Sequence, residues 1–248
     1  MRFGVENKDK EINTVLNFIC RNSGKEIEIF DANFKLLHTI YDPWLAGGHT
    51  IIPDYNGYLA VSCSASDSVL LINEENYKVE KAFRMPEELY GFNYPLKRED
   101  SVVEHYITND YQLTHINCAF PFDRKIYVST LIQGAIGYFD YEGNYKELIR
   151  GFIGCHGVRV DKGTTEIYFC DSCKGVLLFL NEKCEIIKSY PTKSVWLHDA
   201  QQIEENIFAF AVSDRNRVEI IDIDKNKVLS IIPGKPFGKS VQFVYYGE

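Results

Sequence analysis

Residues 155–181 read CHGVRVDKGTTEIYFCDSCKGVLLFLN, and their pattern decides the fold. The runs HGVRVD, TEIYFCD and GVLLFLN are rich in β-branched and aromatic residues and are parted by turn-forming Gly, Thr, Asp and Ser. Short runs of that kind, bounded by turns every ~8–12 residues, are strands. A fourth run, CEIIKSYP, follows at 184–191 and completes a four-stranded unit.

Working outward, the third run of this unit recurs along the chain. Alternating apolar residues end in Asp or Asn at Asp31, Asn73, Asp140, Asn181 and Asp222, with spacings of 42, 67, 41 and 41 residues. The long interval holds roughly 26 extra residues, the size of an insertion within one repeat. It falls near residues 85–113, which break the alternation and carry at most one helical turn, around Pro86–Tyr90. Four short strands every ~40 residues are the signature of propeller blades. The expected fold is therefore all-β, a five-bladed β-propeller with four-stranded blades forming a single domain over residues 1–248. The first repeat lacks one strand, and a surplus apolar strand, SVQFVYYG, lies at 240–247. Pairing the two closes the ring and removes free sheet edges.

The segment 155–181 resembles the NHL, SMP-30 and virginiamycin B lyase-like propellers, whose inner strands open with Pro-His-Gly and continue to a Tyr-containing strand ending in Asp. Weaker versions occur at LTHINCAFPFDRKIYVST and WLHDAQQIEENIFAFAVSD. The resemblance implies the fold; these propellers host many functions.

Charge and cysteine content narrow the function classes. Lys+Arg number 27 and Asp+Glu 35, giving a net charge of -8, and no basic stripe is present. Nucleic-acid binders need such a stripe. No apolar run is long enough to span a bilayer, and the N-terminal MRFGVENKDKEINTVLNF lacks the apolar core of a signal peptide. The seven cysteines form an odd set without framework spacing. Together these predict a reduced cytoplasmic protein with no nucleic-acid or membrane partner. Cys170 and Cys173 have CxxC spacing but lie on a strand and turn, which favours structural thiols over a redox pair.

Four of the six histidines share one repeat position. His49, His115, His156 and His198 precede their third-strand Asn or Asp by 24, 25, 25 and 24 residues. Each opens the first strand of its blade, and His38 falls on an outer strand. First strands line a propeller's channel, so the four imidazoles are expected to converge on its axis as metal ligands. Imidazole suits Fe, Zn, Cu and Ni. The expected cofactor is a transition metal ion, Fe(II) first and Zn second, acting on a small organic substrate or O2. The arrangement is similar to that of carotenoid cleavage oxygenases, which hold Fe(II) with four histidines on a propeller axis. It is also similar to that of peptidylglycine-amidating lyases, which hold Zn with three.

The fifth ring position falls on Lys239 or Ser240, and Lys239 is a catalytic candidate. Glu104 and His105, on the insertion above the channel mouth, are two more. Asp171, Asp199 and Asp214 are candidate partners for the second ring nitrogen of the histidines, which metal ligands pass to a carboxylate or carbonyl. Three readings stay open: Fe(II)/O2 oxidative chemistry, a Zn-dependent lyase or hydrolase, and a non-catalytic propeller that binds a protein or carbohydrate. In the last, the repeated histidines are structural, as in WD-repeat propellers, and pair with groups in the blade turns.

Overall fold

The computed structural model describes residues 17–20, 26–30, 33, 35–54, 56–91, 112–161 and 163–234. Its backbone divides into two compact units, Met1–His115 with Tyr246–Glu248, and Ile116–Tyr245. Every sheet among the described residues is antiparallel with its strands in sequence order, the topology of a propeller blade.

The first unit holds a three-stranded sheet of β1 (Asn17–Cys20), β2 (Ile27–Phe30) and β3 (Leu36–Ile40). It also holds a four-stranded sheet of β4 (Gly48–Asp54), β5 (Tyr58–Cys63), β6 (Ser68–Asn73) and β7 (Val79–Arg84). Ile27, Ile29 and Ile40 are buried in one cluster with Trp44, Leu59, Val61, Leu70 and Ile72. After β7 the chain makes one turn of 3-10 helix, Glu87–Leu89, where the sequence suggested a helical turn.

The second unit holds three four-stranded sheets. The first comprises β8 (Ile116–Phe122), β9 (Lys125–Thr130), β10 (Ala135–Asp140) and β11 (Tyr145–Arg150). The second comprises β12 (Cys155–Val160), β13 (Ile167–Asp171), β14 (Val176–Leu180) and β15 (Ile186–Pro191). The third comprises β16 (Leu197–Glu204), β17 (Ile207–Val212), β18 (Arg217–Asp222) and β19 (Lys227–Pro233). Facing side chains alternate as strand geometry demands. Leu177 and Phe179 of β14 pack with Phe208 and Phe210 of β17 in one core, where Tyr168 and Phe179 meet Phe208 edge-on.

The five four-stranded sheets expected from the repeat are thus four, plus one of three strands, among the described residues. The strand that was to complete it, at 240–247, lies outside them, as does most of the 85–113 insertion. No described helix is long and apolar enough to cross a membrane.

The repeating Asp or Asn has a clear physical cause. The side-chain oxygen Oδ1 of Asn73, Asp140, Asn181 and Asp222 accepts backbone N–H groups of the turn into the fourth strand. These are Asx turns, which give the hairpin its acceptor where the ladder ends. A register shift occurs between the last two strands of each of the five sheets.

A second repeated contact ties each four-stranded sheet's turn to the chain leaving its last strand. The carbonyls of Asp67, Gly134, Gly175 and Asn216 accept N–H groups from Met85, Gly151, Thr192 and Gly234 at 3.0, 3.0, 2.8 and 2.7 Å. All four acceptor residues have positive φ. At Gly175 a Cβ would stand 1.9 Å from the Ser194 carbonyl oxygen, which is backbone and cannot swing away. Gly175→Ala is therefore expected to lower the unfolding free energy by about 2 kcal/mol or more, through left-handed strain plus this clash. Urea unfolding followed by circular dichroism checks it; a change under about 0.5 kcal/mol, the size of an ordinary surface substitution, would refute the close approach.

Candidate functional site

Each first strand of the four-stranded sheets carries one extra residue beside its histidine. On β12 the register passes from His156↔Cys170 to Arg159↔Tyr168, so three residues of one strand span two of the other. On β16 it passes from Leu197↔Val212 to Asp199↔Ala211, leaving His198 itself as the bulged residue. The same irregularity occurs between Gly48 and Ile51 on β4, and between Ile116 and Cys118 on β8, directly after His115. Bulges re-aim a side chain that regular pleating would send elsewhere.

The four sequence-predicted histidines come together as two pairs, one in each unit. His49 and His115 have ring centroids 4.9 Å apart. His156 and His198 are closer, at 4.1 Å, and both are buried, 3% and 5% exposed. Trp196 meets the His156 ring edge-on at 5.7 Å.

His115 is held by its backbone. Its φ is +55°, unusual for a side-chain-bearing residue. The Asp67 carboxylate accepts the N–H groups of Leu113, Thr114 and His115 at 2.5, 3.0 and 2.7 Å, and the Thr114 hydroxyl at 2.7 Å. Burial pushes the Asp67 carboxyl above the usual range, and these four donors oppose that shift. Such a nest fixes the backbone from which the His115 ring projects.

His156 is held by its ring. Its Nδ1 lies 2.8 Å from the Gly154 carbonyl oxygen and 2.9 Å from the Ser172 hydroxyl. A carbonyl oxygen only accepts, so the Gly154 contact requires a proton on Nδ1. In the neutral ring Nε2 is then the unprotonated nitrogen, the one that can act as base or metal ligand. Ser172 is itself fixed by donating its N–H to the same carbonyl at 3.3 Å.

This arrangement repeats. Ser64 donates its N–H to the Gly47 carbonyl at 3.0 Å, and Ser213 donates to the Trp196 carbonyl at 3.2 Å. In each case the carbonyl stands two residues before a histidine. The serines were missed in the sequence, although their signal is plain: Ser64, Ser172 and Ser213 follow His49, His156 and His198 by 15, 16 and 15 residues. Leu131 holds the matching place after His115. Arg159 was missed as well. It is buried on β12, where it pairs with Asp199.

The acids expected beside the histidines have other partners. Asp171 accepts the Ile153 N–H at 3.0 Å and pairs with Lys174 at 2.9 Å. Asp214 holds the Ser194 hydroxyl and the Val195 N–H. Asp199 binds Arg159 at 2.7 Å. Turn acids serve the loops before the first strands because those loops end with unpaired N–H groups. The catalytic candidates Lys239, Glu104 and His105 lie outside the described residues.

Burial disfavours the thiolate form of the two cysteines on β12 and β13. Cys155 and Cys170 are free and buried, and burial pushes both thiols far up. Cys173 is exposed and free, so the CxxC spacing carries no disulfide. Among the described residues no group of three or more His, Cys, Asp or Glu side chains is placed to hold a metal ion.

No protein-family model matches the chain, and no curated protein matches it. Solved structures do. Virginiamycin B lyase from Staphylococcus aureus superposes with a TM-score of 0.62 at 12% identity, over 87% of this chain and 65% of that one. A catalytically inactive histidine-to-alanine variant of that enzyme, with quinupristin, gives 0.61 at 12% identity over 94% and 73%. A streptogramin B lyase gives 0.54 at 14% identity over 79% and 57%. The chain thus spans between 57% and 73% of the length of these relatives. At such identities the likeness shows the fold alone, and that fold is an all-β propeller, as the strand repeat and the sequence resemblance led one to expect.

Proposed function

We propose that this chain is a small-molecule lyase that uses His156 as its base. The observation that carries the reading is the Nδ1 contact to the Gly154 carbonyl, which in the neutral ring makes Nε2 the basic nitrogen, in a buried setting beside a second imidazole. A lyase breaks a bond without adding water. His156 Nε2 takes a proton from the carbon next to the bond that breaks. The C–H electron pair becomes the new double bond, the leaving atom departs with its own bonding pair, and His198 returns a proton to it. A positioned proton-transfer group of this kind supplies about 10²–10⁴ in rate. The substrate class is a small organic molecule with an acidified C–H, and cyclic depsipeptides of the quinupristin type are the first to try. Support for that choice comes from the propeller relatives named above, whose histidine variant is inactive.

The test is incubation of the full chain with quinupristin and smaller ester analogues, read by mass spectrometry. A ring-opened product of unchanged mass supports elimination. A product heavier by one water makes the protein a hydrolase, and no turnover of any ester overturns the reading.

A second reading keeps the transition metal expected from the shared register of the four histidines, Fe(II) first and Zn second. It is favoured by His156, because a carbonyl on the far ring nitrogen is how metal-ligating histidines are commonly oriented. Each unit brings two imidazoles together among its described residues, fewer than the three or four protein ligands of a zinc centre. Elemental analysis of protein purified without chelator or a nickel column decides it. About one iron or zinc per chain, lost in His156→Ala, supports the metal; none after anaerobic Fe(II) reconstitution removes it.

A further inference from the structure

Beside the two histidines of the second unit lies a buried ion pair, Arg159 three residues after His156 and Asp199 one residue after His198. Arg159 Nη2 donates to Asp199 Oδ2 at 2.7 Å, with the side chains 6% and 0% exposed. The other guanidinium nitrogen, Nη1, reaches the Cys118 sulfur at 3.8 Å, and the group stands 5.8 Å from the Phe120 ring centroid. Burial works against the Arg159 charge, and Asp199, together with Cys118, Tyr168 and Cys170, more than offsets it, so the group stays charged.

The pair spans from β12 to β16, and it does so at the two bulges. Asp199 directly follows His198, and Gly157 directly follows His156. Gly157 has a φ of +55°, and a Cβ there would stand 2.2 Å from Asp199 Oδ1 and 3.1 Å from its Cα. Asp199 therefore occupies the space a side chain at 157 would need. The β12 bulge, the glycine and the acid form one packed unit, on whose two edges the rings of His156 and His198 sit 4.1 Å apart.

A buried ion pair is a poor way to gain stability, since well-packed apolar residues of similar volume are often as stable or more so. Its value lies in directional geometry: a carboxylate held by a guanidinium has one position, whereas an apolar contact slides. We propose that Arg159 and Asp199 are positioning residues, which set the spacing and orientation of the His156 and His198 imidazoles. This rests on the reading of those histidines as the working pair. Neither residue touches substrate in this scheme, and each acts through the strand that carries its histidine.

The test reads the rings rather than the reaction. The full chain is labelled with 15N-histidine, and long-range proton–nitrogen correlations and ring-to-ring Overhauser effects are recorded for the wild type, Arg159→Lys, Asp199→Asn and Arg159→Met/Asp199→Leu. In the wild type, His156 is expected as the Nδ1–H tautomer with a direct effect to His198. In the double variant, folded by its amide spectrum, that effect is lost and His156 becomes a mixture of tautomers; Arg159→Lys, which keeps the charge, restores part of it. A folded double variant with unchanged rings overturns the proposal. Should it not fold, the isosteric Asp199→Asn is judged by the same criterion. If no substitution at either position folds, the pair is a stability element and the proposal is overturned. The lyase reading fails separately, through absent turnover in the wild type, which leaves the ring measurements standing.

Discussion

His156→Ala is expected to lower ester-cleavage turnover by about two to four orders of magnitude while the protein stays folded. The size follows from the role: the variant removes the imidazole whose Nδ1–H tautomer the Gly154 carbonyl favours. The substitution also deletes a buried ring that packs on Trp196 and His198, so some loss of stability accompanies it. His38→Ala is the control. His38 lies exposed on β3 and stacks on Tyr77 at 5.1 Å, and its loss should leave turnover unchanged. Steady-state kinetics on both variants, with thermal unfolding beside them, separates the outcomes. A His156→Ala protein that turns over at the wild-type rate but melts earlier would make the histidine structural, as in WD-repeat propellers.

The second large effect concerns stability. Arg159→Met should cost about 3–5 kcal/mol at neutral pH, because it strands a fully buried carboxylate without its cation. The deficit should depend on pH in a definite direction. Without Arg159, burial raises the Asp199 carboxyl above its unfolded value. A raised folded value means stability that is present in acid and lost as pH rises, so the variant's deficit shrinks on going from pH 7 towards pH 5. Urea unfolding at the two pH values measures this. An equal deficit at both would show that Asp199 is not left as a buried charge. Arg159→Met/Asp199→Leu, which removes both charges, should recover most of the loss.

The blade topology was legible in the chain because strand periodicity and turn chemistry are local. Alternation in IGYFD or LLFLN and an Asx residue at each third-strand end need only neighbours a few positions away. The histidine register was legible for the same reason: a repeat copies a position without knowing its partners. Those partners were harder to read. Ser172 bonds His156 across 16 residues, through a turn whose carbonyl geometry appears only when β12 and β13 pair. The turn acids Asp171 and Asp214 lie at the second-to-third-strand turns, where an acid partner of a histidine would sit. The folded loops instead present bare N–H groups nearer to them, and those groups take the carboxylates first.

Sequence by itself determined that the protein is all-β, built of repeated four-stranded sheets, with one histidine opening the first strand in four of them. Tertiary structure decided how the rings of those histidines are held. It joined them as His49 with His115 and His156 with His198, bound Nδ1 of His156 to a carbonyl, and set Arg159 against Asp199 across 40 residues. Periodicity specifies which side of a strand a residue faces. Tautomer, ring spacing and ion pairing depend on distances of a few ångströms between segments far apart in the chain, and those are set only when the bulges and sheets pack together.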